Sequence, residues 1–404
     1  MNNSSFYISF AVAWTFIEAT IALSGVQEWN TAILRSIFVV LFGGAILVHI
    51  RSNRRRSLKK LSGKNLNKQV LKSIENGFKY LLEENTNKNG QRMRLSPSIM
   101  ESATTIGALS LASTILHKDG SVEQRTIEWL FGALKKVFRD KVPVKYFECS
   151  RCDNGNICNV AYFDYLSHFY YAKNTNLYNK FVDEFQFLGE ILASRLSCTK
   201  SKCGWKLFDQ GEYDVLATST NLILCSVWGS LSESQEKRAI KLLLALQANS
   251  GPKKGSWDRI ITDGRWCAGS LEIITAHRVI ECLAIYKNKY SEFSSDIDAA
   301  ITNAVTYLKS CQGGEEPVNY EHQVGIDDVE LLRGTGHIVQ AMVKAEKHDE
   351  FLVDKINTLI HSQQKNGEFI GQLGYLDGQR EIRNKTDLTA FITRTLCLYY
   401  QKYA

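Results

Sequence analysis

The stretch "LALQANSGPKKGSW", residues 244 to 257, decides the fold, because it joins the end of a helical pattern to a Gly-Pro turn and a Trp. Related stretches are "AVTYLKSCQGGEEPVNY" at 304 to 320, "KINTLIHSQQKNGEFIG" at 355 to 371 and, more weakly, "GFKYLLEENTNKNGQRM" at 77 to 93. In each, an apolar residue near the helix end is followed by a Gln or Asn and a turn that contains Gly. A unit that recurs in this way predicts a repeat architecture.

A second helical segment is predicted after each turn. The apolar residues of these segments recur at spacings of three and four, which is typical of helices. The predicted second helices are 97 to 116, 158 to 173, 213 to 230, 268 to 286, 326 to 345 and 386 to 402, with further first helices at 122 to 139 and 179 to 196. Six hairpins that follow one another in the same direction can close into a ring. Residues 61 to 404 are therefore predicted to form an all-α domain, an α/α toroid of six helical hairpins.

The turn pattern resembles the squalene cyclase-like repeat of the terpenoid cyclase and protein prenyltransferase superfamily. The matching positions are Leu243, Gln247, Gly251 and Trp257, then Leu308, Gln312 and Gly314, then Ile360, Gln364, Gly367 and Phe369. In that superfamily the Gln caps a helix end and stacks on the aromatic residue of the neighbouring repeat. The resemblance implies an architecture much more strongly than a chemistry.

The N-terminal residues 1 to 60 form a separate predicted domain. Residues 6 to 25 and 32 to 50 are apolar and each close to the length of about 20 residues that crosses a bilayer as a helix. They predict a transmembrane hairpin, and the basic run "RSNRRRSLKK" that follows them is expected to lie on the cytoplasmic side. The predicted localisation is a two-pass membrane protein with the toroid in the cytoplasm.

The charge is concentrated in front of the predicted toroid. Residues 1 to 64 contain eight Lys and Arg against Glu18 and Glu28, so most of the net charge of +7 lies there. The rest of the chain is nearly neutral, and a nucleic-acid partner is not expected. Anionic membrane lipid is the expected partner of the basic run. Glu18 and Arg35 lie within the predicted hairpin, where they fit either a plain anchor or a membrane effector.

The stretch "GIDDVELL", residues 325 to 332, is the nearest match to the Asp-x-Asp-Asp motif of class II terpene cyclases. The resemblance implies that Asp327 stands where that family has its proton donor, with Asp328 beside it. Gly325 replaces the first Asp, so the motif is incomplete. The alternative is that both aspartates cap the start of a helix, where free backbone amides favour carboxylates.

Several further residues are expected around one central cavity. Acidic residues near the starts of other second helices would gather at one mouth of the ring, where an acid/base site could be built. Basic and aromatic residues on the same helices would suit an isoprenoid or, equally, a sugar. The predicted cavity residues are Asp214, Glu272, His277, Arg333, His337, Asp387 and Trp266.

Five of the ten cysteines lie in two predicted turns, "CSRCDNGNIC" at 149 to 158 and "CTKSKC" at 198 to 203. If the second and third hairpins are neighbours, both turns emerge at the same end of the ring. A structural zinc site formed by Cys149, Cys152, Cys198 and Cys203 is one interpretation. Unrelated free thiols are the alternative.

The leading functional hypothesis is a membrane-anchored toroid that binds an isoprenoid or lipid-like molecule in its central cavity. If the protein is an enzyme, the resemblance implies a terpene cyclase-like isomerase or lyase, with Asp327 and Asp328 as acid/base groups. The alternative is a non-catalytic ligand sensor or protein-interaction toroid that controls the hairpin as an effector, with a protein partner. A carbohydrate-active toroid is the third hypothesis.

Overall fold

A computed structural model describes residues 64–84, 99–118, 132, 182–206, 211–229, 231–257, 271–311, 328–369 and 385–404 of the chain. All of these residues belong to one unit of the chain, Lys64–Ala404, which is separate from residues 1–63. Its elements are α1 Lys64–Glu84, α2 Ile99–Leu116, α3 Val182–Ser194, β1 Ser197–Cys198, β2 Cys203–Gly204, α4 Val215–Trp228, α5 Glu233–Ala245, α6 Leu271–Lys287, a short 3-10 turn Ser291–Phe293, α7 Ser294–Ser310, α8 Asp328–Lys344, α9 Glu350–His361 and α10 Lys385–Tyr403.

The described helices form two layers. Helices α2, α4, α6, α8 and α10 pack side by side in the order α4, α6, α8, α10, α2 and form the inner layer. Helices α1, α3, α5, α7 and α9 form the outer layer, each packed against an inner helix. Each described outer helix precedes an inner helix along the chain, which is the predicted hairpin arrangement.

The two layers differ in sequence because they differ in burial. The inner helix α4, "VLATSTNLILCSVW", combines apolar and small polar residues on all sides, and nearly all of it is buried. The outer helix α5, "ESQEKRAIKLLLA", buries the face that contains Ala239, Ile240 and Leu243, and Glu233 and Lys241 on the opposite side are exposed. A helix with one apolar face packs at the surface, and a helix that is apolar nearly all round is buried.

The last hairpin, α9 and α10, packs on the first hairpin, α1 and α2. The N-terminal and C-terminal helices of the unit are therefore neighbours in the ring. Inner helix α10 packs against both α1 and α2, and outer helix α9 packs against α1. The α/α toroid predicted from the repeats is confirmed at this level. The predicted second hairpin, residues 122 to 139 and 158 to 173, lies outside the described residues.

The turn after α5 explains why the opening stretch recurs. The indole Nε1 of Trp257 donates to the carbonyl oxygen of Leu243 at 2.8 Å and closes the turn against its own helix. The amide Nε2 of Gln247 donates to the carbonyl oxygens of Gly255 at 3.0 Å and Ala300 at 2.8 Å. Because Ala300 lies in α7, the Gln links its own turn to the outer helix of the next hairpin.

The turn after α9 repeats this arrangement with a shift of one residue from the sequence prediction. Gln363, and not Gln364, forms the bridge with Phe369 and donates its Nε2 to the carbonyl oxygens of Gly367 and Ser73, both at 3.0 Å. Ser73 lies in α1, and its hydroxyl donates to Oε1 of Gln363 at 2.8 Å. The last turn is thereby hydrogen-bonded to the first helix of the unit.

The glycine of the motif also differs from the predicted one. Gly255 has φ +93°, and a Cβ at this position would overlap the backbone carbonyl of Asn303 in α7. Gly367 has φ +95° and stands in the same relation to Asn76 in α1. A Cβ on Gly251 would meet only open space. Gly255 therefore occupies the position that corresponds to Gly367, where the next outer helix approaches the backbone.

A further copy of the motif, not recognised from the sequence, follows α3. The indole Nε1 of Trp205 donates to the carbonyl oxygen of Leu192 at 2.9 Å, as Trp257 does to Leu243. Its backbone amide donates to Oγ1 of Thr218, and that of Phe369 donates to Oγ1 of Thr389 in the same way. The strand pair β1 and β2 occupies the turn between helix and Trp.

The predicted fold class needs one correction, which concerns the transmembrane hairpin in front of the toroid. Over the residues that the structure describes, no helix combines the length and apolar character needed to cross a bilayer. Residues 6 to 25 and 32 to 50 lie outside those residues. The supported fold class is the all-α toroid without the hairpin, and the two-pass membrane localisation is not supported.

Candidate functional site

The candidate site lies where the inner helices α6, α8 and α10 meet. Most of the buried polar and charged side chains of the described residues belong to the inner helices, although these helices are otherwise apolar. Burying a polar group without a partner costs free energy, so such groups are expected to bond to one another. Buried charged residues of the inner helices, in contrast, occur only on α6 and α10 among the described residues, and the histidines occur on α6 and α8.

The centre of the site is a pair of histidines. His277 lies in α6 and His337 in α8, and their Nδ1 atoms are 3.0 Å apart. The ring centroids are separated by 5.2 Å. His277 has no exposed surface, whereas His337 keeps 6 %. Of the two imidazoles, His337 is therefore the less deeply buried.

Both imidazoles are held neutral. Burial lowers the pKa of His277 well below its ordinary value of 6.5, and the positive charges of Arg278, Lys344 and Arg394 lower it further. Burial also lowers the pKa of His337 far below 6.5, with His277, Arg278, Arg333 and Arg394 adding to the effect. A charged imidazole would lose its water and gain cationic neighbours.

The contact between two neutral imidazoles allows only one hydrogen on the line between the Nδ1 atoms. Glu281 biases which ring supplies it through its charge, because its Oε2 lies 3.7 Å from Nε2 of His277, beyond hydrogen-bond distance. A carboxylate at this nitrogen favours hydrogen on Nε2 and leaves Nδ1 of His277 as the acceptor. His337 then donates through Nδ1 and carries its lone pair on Nε2.

Glu281 is itself held by two cations. Its Oε2 accepts from an Nη atom of Arg278 at 3.0 Å, and its Oε1 lies 3.0 Å from Nζ of Lys344. Glu281 is fully buried, so these ion pairs compensate for the loss of its water. The carboxylate is thereby fixed beside His277, with α6 and α8 both contributing to its position.

An aromatic ring forms the other side of the site. The centroid of Phe391, in α10, lies 4.7 Å from that of His337. The guanidinium carbons of Arg333 and Arg394 lie 5.8 Å and 5.4 Å from the same ring centroid. Cations above an aromatic face are attracted by its quadrupole. Phe391 therefore packs the histidine and positions two arginines around it.

One face of α8 contributes a continuous polar row at helical spacing. The row consists of Arg333, His337, Gln340 and Lys344. Nε2 of Gln340 donates to Oγ1 of Thr395 in α10 at 2.7 Å. Oε1 of Gln340, in this row, and Nε2 of His277, in α6, are buried and have no hydrogen-bond partner among the described residues. Buried polar atoms of this kind are where a ligand or an ordered water binds.

Three of the predicted cavity residues meet in this site. His277 and His337 contact each other directly. Arg333 lies over the ring of Phe391, which in turn packs against His337. Asp214 instead caps the start of α4, since its Oδ1 accepts from the backbone amide of Ala217 at 2.7 Å. This contact agrees with the capping interpretation of acidic residues at helix starts.

The other predicted site residues lie wholly or partly outside the described structure. Helix α8 begins at Asp328, and Glu272 and Asp387 lie in the first turns of α6 and α10, but their side chains are not described. Asp327 and Trp266 lie outside the described residues. The assignment of Asp327 and Asp328 as acid/base groups stays a prediction.

The cysteines of the predicted zinc site are paired differently. Cys198 and Cys203 are joined by a disulfide across β1 and β2. Zinc would bind these sulfurs only as thiolates, so the disulfide would first have to be reduced. Cys149 and Cys152 lie outside the described residues, and the four-cysteine zinc site stays a prediction. Within the described ranges, no group of three or more His, Cys, Asp or Glu side chains is arranged for a metal ion.

Sequence reasoning missed three members of the site: Glu281, Gln340 and Lys344. Their signal was present, because Glu281 follows His277 by one helical turn and the other two continue the row of His337. Polar residues at these spacings are conspicuous on helices that are otherwise apolar. Only the packing of α6 against α8 distinguishes this row from an ordinary solvent-facing one.

No protein-family model matches this sequence, and no curated protein sequence matches it significantly. Similarity to solved structures is clear at the level of the fold. A variant of the type II terpene cyclase MstE from Scytonema, in complex with its substrate geranylgeranyl dihydroxybenzoate, aligns with a TM-score of 0.50 and 13% identity. The alignment covers 83% of this chain and 98% of that chain.

Two further structures give the same picture. Another MstE variant, without ligand, aligns with a TM-score of 0.51 and 13% identity over 83% of this chain and 98% of its own. The GH76A alpha-1,6-mannanase from a Salegentibacter species aligns with a TM-score of 0.51 and 11% identity over 82% of this chain and 99% of its own. Both are α/α toroids. This chain therefore has the α/α toroid fold that terpene cyclases and GH76 mannanases share, as the repeat motif implied.

Proposed function

We propose that the toroid binds an isoprenoid-like small molecule among its inner helices, with the polar end of the ligand at His337. The single observation that carries the proposal is the buried contact between His277 and His337, in which the Nδ1 atom of His337 is taken up by His277 and its ring keeps the larger exposed fraction of the two. Buried polar groups at the convergence of helices are typical of ligand sites. The MstE complex supports the choice of ligand class, since that toroid holds a geranylgeranyl compound.

The apolar part of the ligand would be held by the hydrophobic lining of the inner helices. Phe391 is 4 % exposed and lies against His337, so it can contact both the polar head and the start of a hydrocarbon chain. Burial of hydrocarbon contributes about 25 cal/mol per Å² of apolar surface. A polyprenyl chain would therefore supply most of the affinity, and the histidine end would supply orientation.

Acid/base chemistry at Asp327 and Asp328 is the catalytic part of the proposal. Helix α8 begins at Asp328 and places His337 nine residues further on, about 13.5 Å along the axis at ~1.5 Å per residue. A ligand of polyprenyl length can reach both ends of this distance. The aspartates would act on the chain while His337 holds the head.

A carbohydrate-active toroid is the second candidate. It is favoured by the polar interior of the inner helices, where Thr, Gln, His and Arg side chains are buried. Hydroxyl-rich ligands need many hydrogen-bonding partners, which such a lining offers. The fold similarity to a mannanase is compatible with this candidate.

The two candidates are separated by direct binding measurements on the purified full-length chain. The probes are geranylgeranyl dihydroxybenzoate and α-1,6-mannobiose, titrated by calorimetry, with products analysed by mass spectrometry. Binding of the first probe alone supports the proposal. Binding of mannobiose alone favours the carbohydrate candidate, and binding of neither contradicts both. Binding without product supports a ligand sensor rather than an enzyme.

The site is tested by matched histidine variants. His337→Gln should weaken binding of the prenyl probe at least about tenfold, because the polar head loses its partner. His361→Gln changes an exposed histidine of outer helix α9 and should bind like the wild type. Asp327→Asn should keep binding and lose turnover. Equal affinities of the wild type and His337→Gln would contradict the assignment, provided that both melt at similar temperatures.

A further inference from the structure

We propose that the ligand has an acidic headgroup and that its binding loads one proton onto the His277 and His337 pair. This inference rests on the proposed function and specifies the chemistry of the head. In the free protein the pair is neutral and shares one hydrogen between the Nδ1 atoms. In the complex, His337 would be an imidazolium that donates from Nε2 to a carboxylate or phosphate oxygen of the ligand.

The geometry leaves the required position open on His337. Its Nδ1 faces His277 at 3.0 Å, so Nε2 is the nitrogen that can take a proton from outside. Glu281 stands behind His277 at 3.7 Å and favours a hydrogen on Nε2 of that ring. The three groups form a row from the buried carboxylate to the less deeply buried imidazole. A positive charge on His337 is stabilised through His277 by the carboxylate at the far end.

The charged groups around the pair come from three helices. Helix α6 contributes Arg278 and Glu281, α8 contributes Arg333 and Lys344, and α10 contributes Arg394. Gln340 and Phe391 are the uncharged neighbours. The cations already act on the histidines, since their charge lowers both pKa values. The same field attracts an anion to this place.

The proton and charge balance favours joint binding. An anion that entered the buried site would lose its hydration, which the surrounding cations offset only in part, and an imidazolium at His337 would add a charged hydrogen-bond donor. If a proton from solvent binds Nε2 of His337 at the same time, the ligand and the proton together add no net charge. The only bond that breaks is the one between the proton and its donor in the solvent, and no other reactant is needed. The result is an imidazolium paired with an anionic oxygen.

The pH dependence follows from linkage. The pKa of the pair is below 6.5 in the free protein, and the anion raises it in the complex. Between these two values, the complex holds one proton more than the free protein. Affinity therefore increases as the pH falls, by up to about tenfold per pH unit, until the free pair is protonated as well.

Calorimetry on the full-length chain tests the coupling. Geranylgeranyl dihydroxybenzoate is compared with its methyl ester and with inorganic phosphate, each in two buffers of different ionisation enthalpy. We expect uptake of close to one proton per molecule of the acid near pH 6 to 7, no uptake with the ester, and no measurable binding of phosphate alone. Tight phosphate binding would overturn the headgroup assignment in favour of a free anion.

Variants separate this inference from the proposed function. His277→Gln should reduce proton uptake and flatten the pH dependence of affinity for the acid, because the imidazolium of His337 loses the ring nitrogen that accepts from its Nδ1. His361→Gln should retain both. Strong binding of the acid without proton uptake would overturn the inference and leave the proposed function intact. If neither the acid nor the ester binds, the proposed function itself fails.

Discussion

Gly255 has a backbone conformation that is strained for any residue with a side chain. Its φ of +93° lies in the left-handed region, where a Cβ costs about 1 to 2 kcal/mol. The Cβ would also overlap the carbonyl of Asn303 in the next outer helix. The turn can therefore approach α7 closely only because this residue is Gly.

Substitution of the two glycines in this turn should reveal which belongs to the motif. Gly255→Ala is expected to destabilise the protein by about 1 to 3 kcal/mol more than Gly251→Ala, since overpacking adds to strain. Gly251 has φ +75° but open space at its Cβ, so it is a matched control for the strain alone. Urea denaturation measures both. Equal losses would show that the close approach to α7 contributes nothing.

The indole of Trp205 is expected to stabilise its turn through one hydrogen bond. Trp205→Phe keeps an aromatic ring but leaves the carbonyl of Leu192 without this donor, which should cost about 1 to 3 kcal/mol. Trp228→Phe is the control, because Trp228 is a second buried indole, which stacks on Phe185 with ring centroids 5.6 Å apart. Chemical denaturation should give the larger loss for Trp205. The opposite order would contradict the assignment of a motif after α3.

At the scale of elements, the Gln side chains join consecutive hairpins rather than stabilising single helices. Gln247 bonds to Ala300 in α7, and Gln363 bonds to Ser73 in α1. The hydrogen bonds connect the turn of one hairpin to the outer helix of the next. Each of these side chains therefore fixes how one hairpin packs on the next, which is a contact between neighbouring repeats.

Gln363→Ala should therefore weaken the contact between the last turn and α1. Loss of its bonds to Ser73 and Gly367 should cost about 1 to 3 kcal/mol and increase hydrogen exchange along α1. Gln364→Ala is the matched control. The Gln364 side chain is exposed, so this substitution should change the unfolding free energy by no more than ~0.5 kcal/mol. If only the Gln364 variant showed faster hydrogen exchange along α1, Gln364 would be the motif residue, as predicted from the sequence.

At the scale of the whole molecule, the histidine pair couples folding to pH. In the unfolded chain both imidazoles titrate near their ordinary value of 6.5, whereas burial lowers both pKa values in the folded protein. The unfolded state therefore binds more protons below about pH 6.5. This part of the stability is fully present above that pH and is lost as the pH falls.

The unfolding free energy should decrease between pH 7.5 and 5.5, with each histidine contributing up to about 1.4 kcal/mol per pH unit below 6.5. Replacing both residues, as His277→Gln with His337→Gln, should flatten the curve over this range. Replacement of the exposed His361 and His348 is the control and should leave the slope unchanged. A wild-type curve without slope would mean that the pair is not buried neutral.

Much of the architecture could be predicted from the sequence because it depends on local spacing. The predicted inner helix at 268 to 286 is found at Leu271–Lys287, and the one at 326 to 345 is found at Asp328–Lys344. Apolar periodicity is a local signal, because it is recognised from residues three and four positions apart. The Trp of the turn is local as well, since it bonds to the helix that directly precedes it. The single motif residues were predicted less accurately. Gln363 and Gln364 are adjacent residues of the same type, and only the structure shows that the side chain of Gln363 bonds to Ser73 and Gly367.

The sequence by itself determined the hairpins, their order and the recurring turn, since helix formation and turn closure are decided within a few residues. Only the tertiary structure decided that His277 and His337, which are 60 residues apart, share one hydrogen. It also decided that Glu281 stands behind them and that Asp214 caps a helix. The physical reason is that such contacts depend on the rotation and register of α6 against α8, which small shifts in packing change and no local pattern records.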